Sequence, residues 1–374
     1  MEKHHRTMQA ENKLFSADPD TRISREARGT IERYRDHVRF KRTFIFILLA
    51  LLIITVLVSA SLGAISIPVS TVLSVIARFD GEQMGRIIWH VRMPRIAAAL
   101  LAGAGLSVAG SVMQSVLRNP LASPYTLGIS SAAAFGASFA IVVFQAGSSS
   151  TSNIVISNPH IVTMTAFAFS ILATGAILLI TRFTSISSET LVLAGIAIGA
   201  ICSAGLTLMQ YLADSVQLSH IVTWTFGDLG RASWGVNAIT FAVLLPVFLL
   251  CFLRRWDLNA MDSGEETAKG LGIRTEALRV LGMALASLIS AVIVSFFGII
   301  AFIGLLGPHI TRRLIGGDHR YLLVASPLVG AVILLAADTA ARLILAPMVL
   351  PVGILTSLLG GPLFIYLLLG RPRR

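Results

Sequence analysis

Charged residues are scarce in this chain of 374 residues, since Asp, Glu, Lys and Arg together make up 13% of it. Soluble domains carry about 25%. Hydrophobic residues make up 55%, and they are collected in runs long enough to cross a bilayer. Because these runs are continuous rather than alternating, they predict membrane helices and not the strands of a barrel. The sequence therefore predicts an all-α polytopic membrane protein.

Cysteine and lysine are also rare. The two cysteines, Cys202 and Cys251, lie in separate apolar runs, and this spacing fits neither a disulfide framework nor a metal site. Lys269 is the one lysine outside residues 1–42, and it follows Ala268 rather than the glycine of a phosphate-binding G-x-x-x-x-G-K-[ST] loop. We therefore expect no catalytic residue, no metal and no cofactor bound by this chain itself.

A charged tail over residues 1–42 precedes the first apolar run, and this tail is too long for the polar start of a cleavable signal. Within it, apolar residues from Ala27 to Val38 have helical spacing and predict a surface helix. The membrane domain is expected over residues 43–374. Its apolar runs predict ten spans, at 43–63, 96–117, 125–146, 161–181, 190–212, 236–254, 276–298, 300–315, 322–345 and 352–370.

The eighth predicted span is short and contains Gly304, Gly307 and Pro308. These residues predict a broken or partly re-entrant helix.

The positions of the cations predict the topology. With the N-terminus inside, ten spans place 24 of the 30 Lys and Arg residues in the cytoplasm and 6 outside, as the positive-inside rule requires. Both termini of this cell-membrane protein are therefore expected in the cytoplasm. The net charge of +11 is then mostly a topology signal, and we expect no nucleic-acid partner.

The same topology places the stretch "GEETAKGLGI", residues 264–273, in the cytoplasm between the sixth and seventh spans. Glu265 and Glu266 lie near the start of a short predicted helix, where the helix dipole favours acids. Two interpretations remain open: a docking element for a soluble partner that supplies energy, or a solvated helix cap.

An ion-coupled carrier is an alternative, and it would need ionisable groups within the bilayer. Asp338 lies in the ninth predicted span, but Arg342 follows four residues later and can pair with it. A pore driven by a partner is therefore favoured over an ion-coupled carrier.

Five stretches together resemble the FecCD-type permease family, the membrane subunits of ABC importers for iron–siderophore complexes, haem and cobalamin. In chain order they are "RMPRIAAALLAGAGLSVAGSVMQSVLRNPLASPYTLGISSAAAFGA", "WTFGDLGRASW", "GEETAKGLGI", "FIGLLGPHITRRLIGGDHR" and "LPVGILTSLLGGPLFIYLLL". The resemblance implies a ten-helix permease bundle like that of cobalamin importers. It also implies a second permease subunit, identical or similar, two ATP-binding subunits that hydrolyse ATP, and an extracytoplasmic substrate-binding protein.

The resemblance implies roles for individual residues on the cytoplasmic side. The loop that couples the permease to the ATPase would comprise Gly264, Glu265, Glu266, Ala268, Leu271 and Gly272. A gate near the cytoplasm would include Arg118, Asn119 and Pro120, although Asn and Pro also suit a plain turn. Thr207 and Gln210 are candidates for the transport pathway.

On the outer side, Arg92, Arg95 and Arg342 match family arginines that dock the binding protein. Three exposed cations at a pore mouth would suit acidic partners. Contact with lipid phosphates, or an internal pair between Arg342 and Asp338, are the alternatives.

One position departs from the family pattern. A glutamate usually stands two residues before the proline of "LPVG", and Val349 occupies that place. This removes an acid near Arg342. We expect an iron(III)–siderophore complex as substrate because it is the commonest in the family, with cobalamin and haem as alternatives.

Overall fold

The computed structural model of the chain describes residues 19–63, 65–77, 83–146, 158–183 and 187–369. The helices are α1 Pro19–Ser61, α2 Val69–Ala77, α3 Gln83–Ile87, α4 Met93–Val116, α5 Ile129–Val143, α6 Pro159–Phe183, α7 Ser188–Leu212, α8 Ser215–Thr225, α9 Trp234–Leu253, α10 Arg255–Ser263, α11 Glu265–Gly270, α12 Thr275–Phe297, α13 Ile303–Ile315, α14 His319–Leu343 and α15 Val352–Leu369. A π-helical turn, Ile88–Arg92, joins α3 to α4, and a 3-10 turn, Leu229–Arg231, lies between α8 and α9.

Each of the ten predicted spans corresponds to one of these helices. Seven helices within the described residues are long and apolar enough to cross a membrane, and α5 and α15 are shorter apolar helices. The predicted all-α membrane fold is therefore confirmed. The count of ten is approximate, because α5, α13 and α15 fall outside the group of seven.

The helix α4 is enclosed by other helices, and small residues allow this packing. A Cβ atom at Gly103 would lie 2.4 Å from the carbonyl oxygen of Gly330, and one at Gly110 would lie 1.7 Å from that of Gly304. Only a residue without a side chain fits at such close approaches. The backbone of α4 therefore packs directly against α14 and α13, while α9 and α12 also contact it.

An irregular segment, residues 298–302, separates α12 from α13. Gly298 has φ 75° and Phe302 has φ 65°, and such a value is uncommon for a residue other than glycine. The predicted break at Gly304, Gly307 and Pro308 was wrong, since all three lie inside the continuous helix α13. The irregular segment precedes this helix, and the re-entrant alternative stays a prediction. The two glycines instead admit close neighbours, because a Cβ at Gly307 would lie 2.1 Å from the hydroxyl of Ser107.

The chain divides into two compact units, Met1–Ile47 and Leu48–Arg374. In the first unit, the helix predicted around Ala27 to Val38 is confirmed as part of α1. Ile31 and Tyr34 are exposed there, while residues 1–18 lie outside the described part. The second unit contains the remaining helices.

Candidate functional site

Two clusters of charged side chains lie at opposite ends of α4 in the second unit. One surrounds the last turn of α4 at Val116 and includes Glu265, and we call it the Glu265 end. The other surrounds the first turn at Met93, and we call it the Arg92 end. The predicted site residues divide between these two ends, apart from two residues on α7.

At the Glu265 end, the predicted coupling loop contains a two-turn helix between two glycines. Gly264 precedes α11 with φ 132°, and Gly272 follows it with φ 81°. These values are readily reached only by glycine, so both residues fix the path of the chain into and out of α11. The prediction that Glu265 and Glu266 begin a short helix is confirmed.

The two faces of α11 differ in exposure. The side chain of Glu266 is 91% exposed, and Leu271, just after the helix, is 69% exposed. Ala268 is completely buried. Lys269 lies 3.4 Å from Glu265 and 3.3 Å from Glu266. The helix is therefore anchored on one face and presents an acid and a leucine on the other.

Glu265 forms an ion pair with a buried arginine. Arg279 Nη2 lies 2.9 Å from Glu265 Oε2, and the Arg279 side chain is 0% exposed. Arg279 Nε also donates a hydrogen bond of 3.1 Å to the carbonyl oxygen of Val116. The hydrogen bond from Arg279 holds the pKa of Glu265 below its usual range. Glu265 therefore forms an ion pair with the protein interior, although its own side chain is 30% exposed.

Asp262 is the centre of a second group of charges, just before Gly264. It accepts a hydrogen bond of 2.8 Å from Arg312 Nη1 and lies 3.2 Å from His319 Nε2. Burial raises the pKa of Asp262, but the His319 hydrogen bond and the Arg312 charge outweigh it and lower that pKa to about 2. Ser115 Oγ accepts from Arg312 Nη2 at 2.6 Å and lies 2.8 Å from His319 Nε2.

The predicted gate residues border this group. A cavity of about 550 Å³ is lined by Gln114, Arg118, Pro120 and Asp262, among others. Asn119 forms the expected turn, because its side-chain oxygen accepts from the backbone of Leu121 at 2.9 Å. The structure thus brings Arg118 and Pro120 to one cavity with Asp262 and Ser263, which immediately precede the coupling loop, while the gating role stays a prediction.

A second cavity, of about 580 Å³, lies beside the coupling loop. Leu271 and Gly272 line it together with Arg254, Asp257 and the first turns of α12. The exposed leucine therefore stands at the edge of a depression that contains charges of both signs.

At the Arg92 end, Arg92 is only 8% exposed. Its guanidinium donates hydrogen bonds to the carbonyl oxygens of Ala60 and Ile65, and to that of Ser61 at 3.1 Å. The expectation of an exposed cation at this position was wrong. The charge is turned inward because carbonyl groups near the end of α1 satisfy its donors.

Arg95 and Arg342 share one buried carboxylate. Asp338 accepts from Arg95 Nε at 3.0 Å and from Arg342 Nε at 3.1 Å. Asp228 lies 3.6 Å from Arg95 as a second acid. The side chains of Arg95 and Arg342 are 15% and 12% exposed, so they too are less exposed than expected. The internal pair between Asp338 and Arg342 is confirmed, and the docking role stays a prediction.

The three arginines nonetheless meet at one opening. A cavity of about 360 Å³ is lined by Arg92, Arg95 and Arg342, and Val349 lines it as well. The residue that replaces the usual family acid therefore lies beside the arginines, as its place in the sequence suggested.

Thr207 and Gln210, the pathway candidates, lie on α7 away from both clusters and line none of these three cavities. Thr207 is exposed and donates to the carbonyl oxygen of Ser203 at 3.0 Å. Nothing in these contacts assigns them a role in transport.

A metal site was not expected. Among the described residues, no group of three or more His, Cys, Asp or Glu side chains could hold a metal ion.

Five residues at the Glu265 end were missed by the sequence analysis: Ser115, Asp262, Arg279, Arg312 and His319. Arg279 carried the only usable signal. It is a cation within the apolar run of α12, beside Leu278, and both residues are buried. The other four are ordinary polar residues near helix ends, and only the fold brings them together.

Both clusters fall within a single family match. The model of the FecCD transport family matches residues 51–370. The chain belongs to the FecCD transport family. The match begins within α1, so the whole first compact unit lies outside the FecCD region, whereas every charged residue of the two clusters lies inside it.

Relatives cover almost the whole FecCD region. A Methanocaldococcus jannaschii protein named as an ABC transporter permease is 47% identical over 344 residues, which are 92% of this chain and 99% of that protein. A hemin transport system permease protein of Yersinia pestis is 38% identical, covering 88% of this chain and 96% of its own. An Fe(3+)-citrate import system permease protein of Bacillus subtilis is also 38% identical, covering 87% and 94%.

A solved structure has the same fold. It shows a protein assigned to the metal-chelate type of ABC transporter, in an inward-facing conformation, with a TM-score of 0.77 and 31% identity. The similarity covers 88% of this chain and 100% of that one. This FecCD chain is therefore a multi-span membrane permease.

Proposed function

We propose that this chain is the permease subunit of an ABC importer that moves an iron(III)–siderophore complex across the cytoplasmic membrane. A separate ATPase drives it and an extracytoplasmic binding protein delivers the substrate. Membership of the FecCD family and the iron-citrate and hemin relatives support an iron-containing cargo. Haem and cobalamin are the alternative cargoes within the same family.

The observation that carries the proposal is the shape of the coupling loop. A short helix with a buried anchoring face presents Glu266 and Leu271 outward, next to a cavity of about 580 Å³. A projecting element of this kind suits a cleft on a soluble partner, because an exposed apolar side chain with a charged rim is typical of an interface centre. Two ATPase subunits would dock here, one for each copy of the permease in a homodimer.

The Arg92 end suits the binding protein. Three guanidinium groups meet at the cavity there, and two carboxylates lie beside them: Asp338, which Arg95 and Arg342 share, and Asp228, 3.6 Å from Arg95. Val349 supplies no further negative charge. The resulting surplus of positive charge favours acidic residues on a partner. In this arrangement the Glu265 end faces the cytoplasm, as the distribution of cations predicts.

An ion-coupled carrier is less well supported. Its best candidate carboxylate was Asp338, and both oxygens of that group accept hydrogen bonds from Arg95 or Arg342. A carboxylate held by two guanidinium groups is poorly suited to bind and release an ion during each cycle.

Uptake into cells that lack their own FecCD permeases tests the proposal. The chain would be supplied with its ATPase and binding protein, and labelled iron(III)–siderophore, haem and cobalamin would be offered in parallel. Siderophore uptake that requires the ATPase is the expected result. Uptake of haem or cobalamin alone would overturn the proposed cargo, and uptake that persists without the ATPase would overturn the importer itself.

The variant Leu271→Asp tests the docking surface in the same cells. Placing a charge at an interface centre is expected to lower uptake and ATPase co-purification by about tenfold or more. Leu271→Met is the matched control, since it keeps an apolar side chain of similar size. If both variants behave alike, Leu271 does not contact the ATPase.

A further inference from the structure

We propose that two side-chain relays, one from the coupling loop and one from the end of α10 just before it, connect to the last turn of α4, so that movement of α11 is passed to the Arg118–Pro120 turn. This inference rests on the proposed function, because it assigns a means of transmission to the coupling loop. It makes Glu265, Asp262 and the residues that join them to α4 positioning residues for transport.

The first relay starts at Glu265, the first residue of α11. Its carboxylate lies 2.9 Å from Arg279 on α12, and Arg279 donates to the carbonyl oxygen of Val116 at 3.1 Å. The Arg279 side chain is completely buried, whereas the Glu265 side chain is 30% exposed, so water reaches this pair only from the side of the carboxylate. A buried guanidinium that loses a partner is strongly disfavoured, and this keeps the relay connected when α11 moves.

The second relay starts at Asp262, near the end of α10. Arg312 and His319 bind it at 2.8 and 3.2 Å. Both of these side chains also contact Ser115 Oγ, at 2.6 and 2.8 Å. Asp262 therefore links α10 to the end of α13 and the start of α14. The hydroxyl group of Ser115 links both of these to the end of α4.

The two relays end on consecutive residues. Ser115 and Val116 form the last turn of α4, and the backbone of Arg118 donates to Ser115 at 3.1 Å. Arg118 itself has φ 47°, an uncommon conformation for arginine. The last turn of α4 therefore positions the turn that the sequence assigned to the gate.

The relays also start on opposite sides of a glycine. Asp262 and Glu265 bracket Gly264, whose φ of 132° only glycine adopts readily. With a single attachment, α11 would rotate about this glycine without moving α4. With an attachment on each side, a displacement of α11 must shift the last turn of α4 as well.

The test measures ATP hydrolysis and transport separately in vesicles that contain the complete complex of permease, ATPase and binding protein. The cargo is labelled iron(III)–siderophore, haem or cobalamin, whichever the unmodified complex transports. Glu265→Gln and Asp262→Asn keep the shape of each side chain and remove its charge. Glu276→Gln is the matched control, because Glu276 is an exposed acid near the start of α12 that belongs to neither relay.

Each relay variant is expected to keep ATP hydrolysis and to lower the transport per ATP hydrolysed by about tenfold. The control is expected to keep the unmodified ratio. Because either broken relay already frees α11 to rotate, the double variant is expected to fall no further than the worse single one. The conservative changes Glu265→Asp and Asp262→Glu are expected to restore part of the ratio.

Three results would overturn the relays while leaving the importer intact. The first is an unchanged ratio of transport to ATP hydrolysis in both single variants. The second is a fall in transport that matches a fall in the amount of assembled complex, with that ratio constant. The third is a loss in the double variant that equals the sum of the two single losses. If the unmodified complex transports none of the three chelates in an ATP-dependent way, the proposed function fails first and the relays fail with it.

Discussion

The two ends of α4 use the same kinds of side chain in opposite ways. At the Glu265 end, carboxylates and guanidiniums are matched, since Glu265 pairs with Arg279 and Asp262 with Arg312. At the Arg92 end, two arginines share one carboxylate, and Arg92 binds backbone carbonyls. Matched charges hold moving parts together, whereas a surplus of one sign attracts a partner. The comparison thus separates an end built for attachment from an end built for recognition.

The largest effect on stability is expected from removing the shared carboxylate at the Arg92 end. Asp338 is completely buried between Arg95 and Arg342, so Asp338→Ala leaves two guanidiniums without their shared carboxylate. Removing one partner of a buried pair costs about 3–5 kcal/mol of stability. Thermal unfolding of the solubilised protein measures this loss.

Asp257→Asn supplies the control for that experiment. Asp257 pairs with Arg254 at 3.1 Å, and the Arg254 side chain is largely exposed. Exposed pairs contribute about 1 kcal/mol or less, so only a small shift in melting temperature is expected. Equal losses in the two variants would contradict the view that Asp338 holds the Arg92 end together.

A smaller effect is expected from pH at the Glu265 end. Asp262 and Asp318 both have pKa values of about 2, because charge and hydrogen-bond partners outweigh the effect of burial. A carboxyl whose pKa falls on folding stabilises the fold above its ordinary pKa, and this contribution is lost as pH drops through the folded value. The melting temperature should therefore fall by a few degrees more between pH 4 and pH 2 than other groups alone would cause.

Asp262→Asn measures how much of this pH dependence of the melting temperature comes from Asp262. The variant has no carboxyl at position 262, so its melting temperature should change less over the same pH window, and the remaining slope includes Asp318. A variant with the full slope of the unmodified protein would show that Arg312 and His319 do not hold Asp262 in its charged form.

The sequence predicted the parts of this molecule that depend on neighbours along the chain. Apolar runs indicated the spans, the acids of "GEETAKGLGI" indicated the start of α11, and a spacing of four indicated the pair of Asp338 and Arg342. Contacts between distant residues were missed. Ser115 and Arg312 are 197 positions apart, and Arg95 and Asp338 are 243 apart. No local periodicity records such a pairing, because it depends on how whole helices pack.

Exposure was mispredicted for the same reason. The predicted topology places Arg92, Arg95 and Arg342 near a membrane surface, but it does not say which way a long side chain turns. The carbonyl groups that satisfy Arg92 come from residues about 30 positions earlier, and the direction of the side chain follows from them.

The smallest effect on stability is expected from glycine substitutions at the Glu265 end, which change backbone geometry without changing side-chain pairing. Gly270 and Gly272 both have open space where a Cβ atom would lie, but only Gly272 has a positive φ, of 81°. Gly272→Ala should therefore cost about 1–2 kcal/mol, the penalty of a left-handed conformation, whereas Gly270→Ala should be neutral or slightly stabilising. Thermal unfolding of the two variants compares them directly. Because neither change removes an ion pair, a shared loss in both would mean that the path after α11 is set by packing around the loop and not by the conformation of Gly272.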